Sequence, residues 1–171
     1  HGRPLGTRIS DRTLIAVAVV GLAGAVALGI DGMIEVSPWI GVFIVVGAFL
    51  VLAYNLELFE GALHSDLWFA LAWGAFPVLT AFFAQTTELG VAAIVAATAC
   101  ATLSAAQRTL STPARALRRR VATVRGEIVD ESGRRQPIDA DTLRAAPEAA
   151  LRLLSIAVPL LAAALLVTQT R

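Results

Sequence analysis

Five stretches of the chain contain no charged side chain over 18 or 19 consecutive residues, and they limit its possible folds more than any other feature. A helix needs about 20 mainly apolar residues to cross the roughly 30 Å hydrocarbon layer of a bilayer. The strands of a membrane β-barrel would alternate in polarity, and these stretches do not. The pattern predicts an all-α, polytopic transmembrane bundle with five helices in this chain. The predicted spans are Thr13–Ile30, Pro38–Leu56, Leu67–Ala84, Leu89–Gln107 and Leu153–Thr170.

The overall composition excludes several classes of protein. Hydrophobic residues make up 57% of the chain and charged residues 16%, whereas soluble domains average about 45–50% and about 25%. A soluble fold of this size hides only about 70% of its surface, which is too little for so apolar a chain. We therefore exclude a soluble enzyme and a disordered tail. The 14 basic residues, all Arg, nearly balance 13 acidic ones, so we expect no nucleic-acid partner.

The distribution of charge between the predicted spans indicates their orientation. Ten of the Arg residues lie between positions 108 and 152, and three lie within positions 1–12. In the connections at 31–37 and 85–88, by contrast, the only charged residues are acidic. Arg accumulates on the cytoplasmic side of membrane proteins. Residues 1–12, 57–66 and 111–150 are therefore predicted to be cytoplasmic. We expect an integral protein of a prokaryotic cytoplasmic membrane.

We divide the chain into three parts from this pattern. Residues 1–110 are predicted to form a four-helix transmembrane part, residues 111–150 an Arg-rich cytoplasmic loop, and residues 151–171 the final transmembrane helix. The chain starts at His1 with a polar, basic segment that lacks the apolar core of a signal peptide. We expect it to be part of a longer protein.

The loop at 111–150 has the sequence pattern of a β-hairpin. Val121–Val129 is typical of a strand, Asp130–Gly133 of a turn, and a shorter strand is expected to end at Ile138. Beyond it, Asp141 is predicted to cap a short helix, and Pro147 to begin the final helix at its first position.

The connection at 57–66 is acidic and has no cation, which is unusual on the Arg-rich side of a membrane. It contains Glu57, Glu60 and Asp66 with one imidazole, His64. In a helical turn, residues three apart such as Glu57 and Glu60 share a face. Carboxylates in this arrangement are suited to Mg²⁺, which takes a few protein oxygens and completes its shell with substrate phosphates. The alternative is a solvated loop whose acids cap helices.

Several Arg residues are predicted to lie where a helix meets the cytoplasmic surface. Arg3, Arg8 and Arg108 are candidates for binding a diphosphate, because the guanidinium fork matches phosphate oxygens. Membrane topology alone also explains Arg at this boundary. For the run 118–120 we expect an anchor to anionic lipid headgroups.

Two segments together resemble the UbiA-type intramembrane prenyltransferase superfamily, over residues 2–85. The first is an Arg-Pro-Leu segment with a following Gly, and the second is a Tyr segment, a Gly-containing polar loop and an aromatic, Gly and Pro pattern in the next helix. The matching residues are Arg3-Pro4-Leu5, Gly6-Thr7, Ile9-Ser10, Tyr54, Gly61, Asp66, Phe69, Trp73-Gly74 and Pro77.

This resemblance implies a helical bundle with a central cavity that is open to lipid. Members of the superfamily transfer a prenyl group from a polyprenyl diphosphate to a hydrophobic, often aromatic, acceptor. They use Mg²⁺ held by two aspartate-rich motifs. The resemblance assigns catalytic roles to Tyr54 and Asp66 and a diphosphate-binding role to Arg3.

The chain departs from the family pattern at both aspartate-rich motifs. The first would precede His1, and the second would follow Leu89–Gln107, where residues 107–118 contain no acid. Either Arg residues and the 57–66 acids hold the diphosphate, or the fold persists without the chemistry, as a lipid-binding or scaffold subunit. A transporter is less expected, since the predicted spans lack ionisable residues.

Overall fold

The computed structural model describes residues 9–169, with the backbone alone for 168 and 169. Within this range the chain is mostly helical, with six α-helices and one two-stranded antiparallel sheet. The helices are α1 (Asp11–Glu35), α2 (Ile40–Asn55), α3 (Asp66–Ala70), α4 (Phe76–Thr86), α5 (Val91–Arg119) and α6 (Ala140–Gln169). A 3₁₀ segment occupies Phe59–His64, a π turn Leu71–Ala75, and the strands are β1 (Gly126–Val129) and β2 (Arg135–Ile138).

The predicted all-α class with a small hairpin is confirmed, but the prediction of five helices is wrong. The third predicted span is divided into α3 and α4 by the π turn, in which the Phe76 N–H donates to the carbonyl of Leu71, five residues earlier. Pro77 follows at once and has no N–H to continue an α-helical ladder. Single π turns inserted in this way are the usual form of π-helix inside α-helices.

Four segments are long and apolar enough to cross a membrane: Asp11–Glu35, Asp66–Thr86, Val91–Arg119 and Ala140–Val167. Helix α2 is also apolar but has only 16 residues, about 24 Å at 1.5 Å per residue. Large apolar side chains remain exposed along these helices, and Leu28 and Ile34 of α1 are both 76% exposed. Extended apolar surface is unusual on soluble monomers. The fold is therefore consistent with an integral membrane protein.

The chain divides after Ala101 into two compact units. In the first unit, α1 and α2 pack antiparallel where glycines allow close contact. A Cβ on Gly29 would lie 2.6 Å from Ile44, and one on Gly41 would lie 3.2 Å from Met33. The segment α3–α4 returns antiparallel to α2, and Gly74 meets the backbone of α5 at Cys100. Small residues at such contacts let apolar helices pack without a large buried core.

The second unit holds the end of α5, the hairpin and α6. The strands pair from Gly126 with Ile138 to Val129 with Arg135, so the predicted hairpin is confirmed, although its first strand begins at Gly126 and not at Val121. Ion pairs of 2.9 Å join Arg135 to Glu127 across the strands and Arg134 to Asp130 at the turn.

The prediction that Pro147 begins the final helix is wrong. Helix α6 begins at Ala140 and continues through Pro147. Asp139, not Asp141, caps it, because its carboxylate accepts hydrogen bonds from the Thr142 N–H at 2.7 Å and from the Thr142 hydroxyl at 2.8 Å. These two bonds hold the pKa of Asp139 below its usual value. The cap satisfies an N–H of the first turn, so the helix begins at Ala140, seven residues before Pro147.

Candidate functional site

An apolar cavity of about 490 Å³ lies in the first unit, between α1, α2 and the α3–α4 segment. Its volume is within the usual range of about 300–1,000 Å³ for small-molecule sites. The π turn contributes Ala72 and Trp73 to the wall, next to Phe76 and Pro77. The remaining lining residues are Leu22, Ala25, Val26, Gly29, Ile40, Phe43, Ile44, Gly47, Ala48, Leu50, Val51, Thr80, Ala81 and Ala84.

The walls of this cavity offer almost no polar group to a ligand. The hydroxyl of Thr80, the only hydroxyl among the lining residues, donates to the Phe76 carbonyl at 2.9 Å. Phe43 fixes part of the wall, with ring-centroid distances of 6.1 Å to Phe76 and 5.1 Å to Phe83. A cavity of this kind fits a hydrocarbon chain, because any polar group placed there would lose its hydrogen bonds to water without replacement.

Aromatic rings cluster around Tyr54 in the last turn of α2. His64 stacks on Tyr54 with ring centroids 4.3 Å apart and an interplanar angle of 21°. Trp73 meets Tyr54 edge-on at 6.0 Å, and Phe69 lies at 6.1 Å. Trp73 also lines the cavity. The aromatic cluster therefore adjoins one part of the cavity wall.

Local sequence explains how His64 reaches Tyr54. The chain leaves α2 and turns through Gly61, whose φ of +79° suits glycine. Ser65 then caps α3, with its hydroxyl accepting from the Trp68 N–H at 3.3 Å. The reversal between α2 and α3 places His64 beside the final turn of α2.

The acidic segment does not have the backbone that its spacing suggested. Glu57 and Glu60 both adopt left-handed conformations, with φ of 50° and 58°, so the regular helical turn that would give them a common face is not formed there. Asp66 is the first residue of α3, and all three carboxylates are exposed. Among the residues that the structure describes, no three Asp, Glu, His or Cys side chains group closely enough to hold a metal ion. The Mg²⁺-binding role of Glu57, Glu60 and Asp66 stays a prediction.

Arg3, Arg8 and Arg108 were predicted to bind a diphosphate. Arg3 and Arg8 lie outside the described residues. Arg108 is half-buried in the part of α5 that belongs to the second unit. The role predicted for these three residues stays a prediction.

The second unit carries its own arrangement of charges at the junction of α5 and α6. Arg118 of α5 donates to Glu148 of α6 at 2.5 Å, and Arg144 pairs with Asp141 at 2.7 Å. Glu148, whose side chain is 20% exposed, also lies 3.9 Å from the Arg144 guanidinium. The Arg118–Glu148 pair joins the two helices, whereas Arg144 pairs with acidic residues of its own helix, α6.

Comparison of the chain with family models, curated proteins and solved structures found no match.

The resemblance named Tyr54 and implied a cavity, but the sequence indicated neither the residues that line the cavity nor the stacking partner of Tyr54. Nothing in the spacing of His64 indicates that its ring stacks on Tyr54 across a left-handed turn. Trp73 carried a usable signal, because an aromatic residue beside Gly74 and shortly before a proline marks a local break in a helix.

Proposed function

We propose that this chain is an integral membrane protein that binds the hydrocarbon chain of a polyprenyl diphosphate in the apolar cavity, as a UbiA-like prenyltransferase homologue. The apolar cavity is the main observation that supports the proposal. Its walls are apolar, its one lining hydroxyl is already engaged within α4, and its volume suits a hydrocarbon chain.

The Tyr54 cluster supports an orientation for this ligand. Trp73 belongs both to the cavity wall and to the cluster, and Asp66 begins α3 directly after the Ser65 cap. A chain in the cavity would therefore have its polar head near Tyr54, His64 and Asp66. In prenyl transfer, the bond between the allylic carbon and the diphosphate oxygen breaks, and the acceptor forms a bond to that carbon and loses a proton. Tyr54 and Asp66 are the proposed catalytic residues.

A second candidate is a non-catalytic homologue that binds the same lipid. The sequence of residues 107–118 favours it, because these residues contain no acid where the resemblance implies the second aspartate-rich motif. In the family that motif helps to neutralise the charge on the leaving diphosphate, which is a main requirement of the reaction.

Binding is tested with protein reconstituted in lipid nanodiscs and labelled geranylgeranyl diphosphate. Ala25 lines the cavity and Ala23 does not, although both are exposed positions of α1. We expect Ala25→Trp to weaken binding about tenfold or more, equivalent to about 1.4 kcal/mol, and Ala23→Trp to leave it unchanged. Equal effects of the two substitutions, or no binding by the unmodified protein, would overturn the proposal.

Turnover separates the two candidates. Protein that binds the diphosphate is incubated with Mg²⁺ and aromatic acceptors, and diphosphate release is measured. Release that is lost in Asp66→Ala identifies a prenyltransferase. Binding without release identifies the non-catalytic homologue.

A further inference from the structure

The nine Arg residues between positions 115 and 152 separate into two groups by their partners. Arg118, Arg134, Arg135 and Arg144 each form an ion pair with an acidic side chain at 2.5–2.9 Å. Five others are exposed and have no acidic partner among the described residues. We call these the open arginines: Arg115, Arg119, Arg120, Arg125 and Arg152.

We propose that the open arginines bind the phosphate groups of anionic lipids at the membrane surface where α5 and α6 emerge. The proposal rests on the membrane location proposed above, but not on the cavity or on its ligand. A general basic anchor would involve every Arg of the segment. Here only the open arginines contact lipid, and the ion-paired Arg residues beside them do not.

The position of the open arginines along the helices supports lipid contact. The apolar run of α6 begins at Leu153, directly after Arg152. Glu148 lies five residues earlier, about 7.5 Å along the helix axis, and Arg118 of α5 touches it. The headgroup layer of each leaflet is roughly 5–8 Å thick. Arg119 and Arg120 follow Arg118 directly, so they lie near the outer edge of that layer, within the reach of a long side chain.

The paired Arg residues are poorer candidates for the same role. An Arg already bound to a carboxylate must lose that partner, or share it, before it can bind phosphate. In the hairpin, Glu127 and Asp130 neutralise Arg135 and Arg134. Among the described residues, the open arginines carry charge that no acidic side chain neutralises; Arg115, Arg119 and Arg120 follow the apolar part of α5, and Arg152 directly precedes that of α6.

Two adjacent pairs of Arg provide matched variants. Arg119→Gln with Arg120→Gln removes two open arginines, whereas Arg134→Gln with Arg135→Gln removes two paired ones. Both double variants change the net charge by the same amount. The full chain is reconstituted in phosphatidylcholine vesicles with spin-labelled phosphatidylglycerol or spin-labelled phosphatidylcholine, and the motionally restricted lipid fraction is measured by electron spin resonance.

A motionally restricted fraction of either spin-labelled lipid shows that the protein has inserted into the bilayer. This result tests the membrane location separately from the lipid preference. We expect the unmodified protein to favour phosphatidylglycerol about twofold or more, because each Arg near the surface contributes roughly a fivefold attraction at the sites it contacts. The preference should fall in the Arg119/Arg120 variant, persist in the Arg134/Arg135 variant, and weaken at high salt.

Equal losses in the two variants would show an effect of net charge alone and would overturn the assignment. The absence of any preference in an inserted protein would also overturn it. That second result would direct the search for a partner of the open arginines to soluble anionic macromolecules.

Discussion

Among the glycines that the structure describes, Gly74 is the one whose Cβ would lie closest to backbone atoms of a neighbouring helix. A Cβ there would lie 2.5 Å from the Cys100 carbonyl oxygen and 2.7 Å from the Ala101 Cα, and both are backbone atoms that cannot move aside alone. We expect Gly74→Ala to destabilise the protein by about 1–3 kcal/mol, the usual cost of overpacking. The measurement is thermal unfolding in detergent, followed by size-exclusion chromatography.

Gly24→Ala is the matched control for this substitution. Gly24 also lies within an apolar helix, but a methyl group at that position would meet no neighbouring side chain or helix within 4 Å. Alanine favours a helix over glycine, so stability should stay the same or rise slightly. Similar losses for the two variants would show that the close approach at Gly74 is not the cause.

Asp130 makes the hairpin turn sensitive to acid. The Ser132 hydroxyl donates to its carboxylate at 2.6 Å and the Arg134 backbone N–H at 2.9 Å, and these bonds hold the pKa of Asp130 below its usual value of 3.8. A lowered pKa in the folded state means that the ionised carboxylate stabilises the turn above the unfolded pKa. This contribution is lost as the pH falls through the folded value.

We therefore expect the amide resonances of Ser132 and Arg134 to titrate together with a midpoint below pH 3.8. The measurement is nuclear magnetic resonance of the full chain in detergent micelles. Asp130→Asn should remove the common titration, because the amide group cannot ionise. A midpoint at or above 3.8 would contradict the proposed hydrogen bonding.

At the scale of elements, the ion pair between Arg118 and Glu148 joins α5 to α6. Its Glu148 side chain is 20% exposed, whereas Glu127 in the hairpin pair with Arg135 is 48% exposed. Solvent screens exposed pairs, which contribute about 0–1 kcal/mol. A double-mutant cycle with Arg118→Ala and Glu148→Ala should give a coupling near the upper end of that range, measured from unfolding in detergent.

The cycle on Arg135 and Glu127 supplies the comparison, and its coupling should be smaller because both of its side chains are more exposed. A larger coupling in the hairpin than between the helices would contradict this order. Salt should reduce both couplings, and the hairpin coupling more strongly.

Elements that are determined by a few neighbouring residues were predictable from the sequence. The Asp130–Gly133 turn fixed the position of the hairpin, since an Asp that accepts from following N–H groups and a Gly with φ of +82° are both local requirements. The π turn was not predictable, because Pro77 equally permits a simple kink. The left-handed backbone at Glu57 and Glu60 was also missed, since neither residue type favours it.

At the scale of the molecule, the cavity depends on three helical segments that are far apart in sequence. No spacing rule links Ala25, Gly47 and Trp73, so only the packing of α1, α2 and the α3–α4 segment brings them to one wall. Tyr54 could be named in advance because the resemblance assigned it. Its stacking on His64 required the tertiary fold.

The membrane orientation of the chain is the largest prediction that the charge pattern makes. The only charged residues of the connections at 31–37 and 85–88 are acidic, whereas Arg is concentrated at 108–152, and this pattern predicts that the acidic connections lie on the opposite side of the membrane from the Arg-rich segment. In a Cys100→Ser background, single cysteines at Ser37 and Thr87 should react with a membrane-impermeant thiol reagent from the outside of intact cells. Cysteines at Ala62 and Glu131 should react only in inverted vesicles, because an even number of crossings separates those two positions.

Labelling of Glu131→Cys and Ser37→Cys from the same side would contradict the orientation. Labelling of Ala62→Cys from the same side as Ser37→Cys would show that the 16-residue helix α2 does not cross the bilayer.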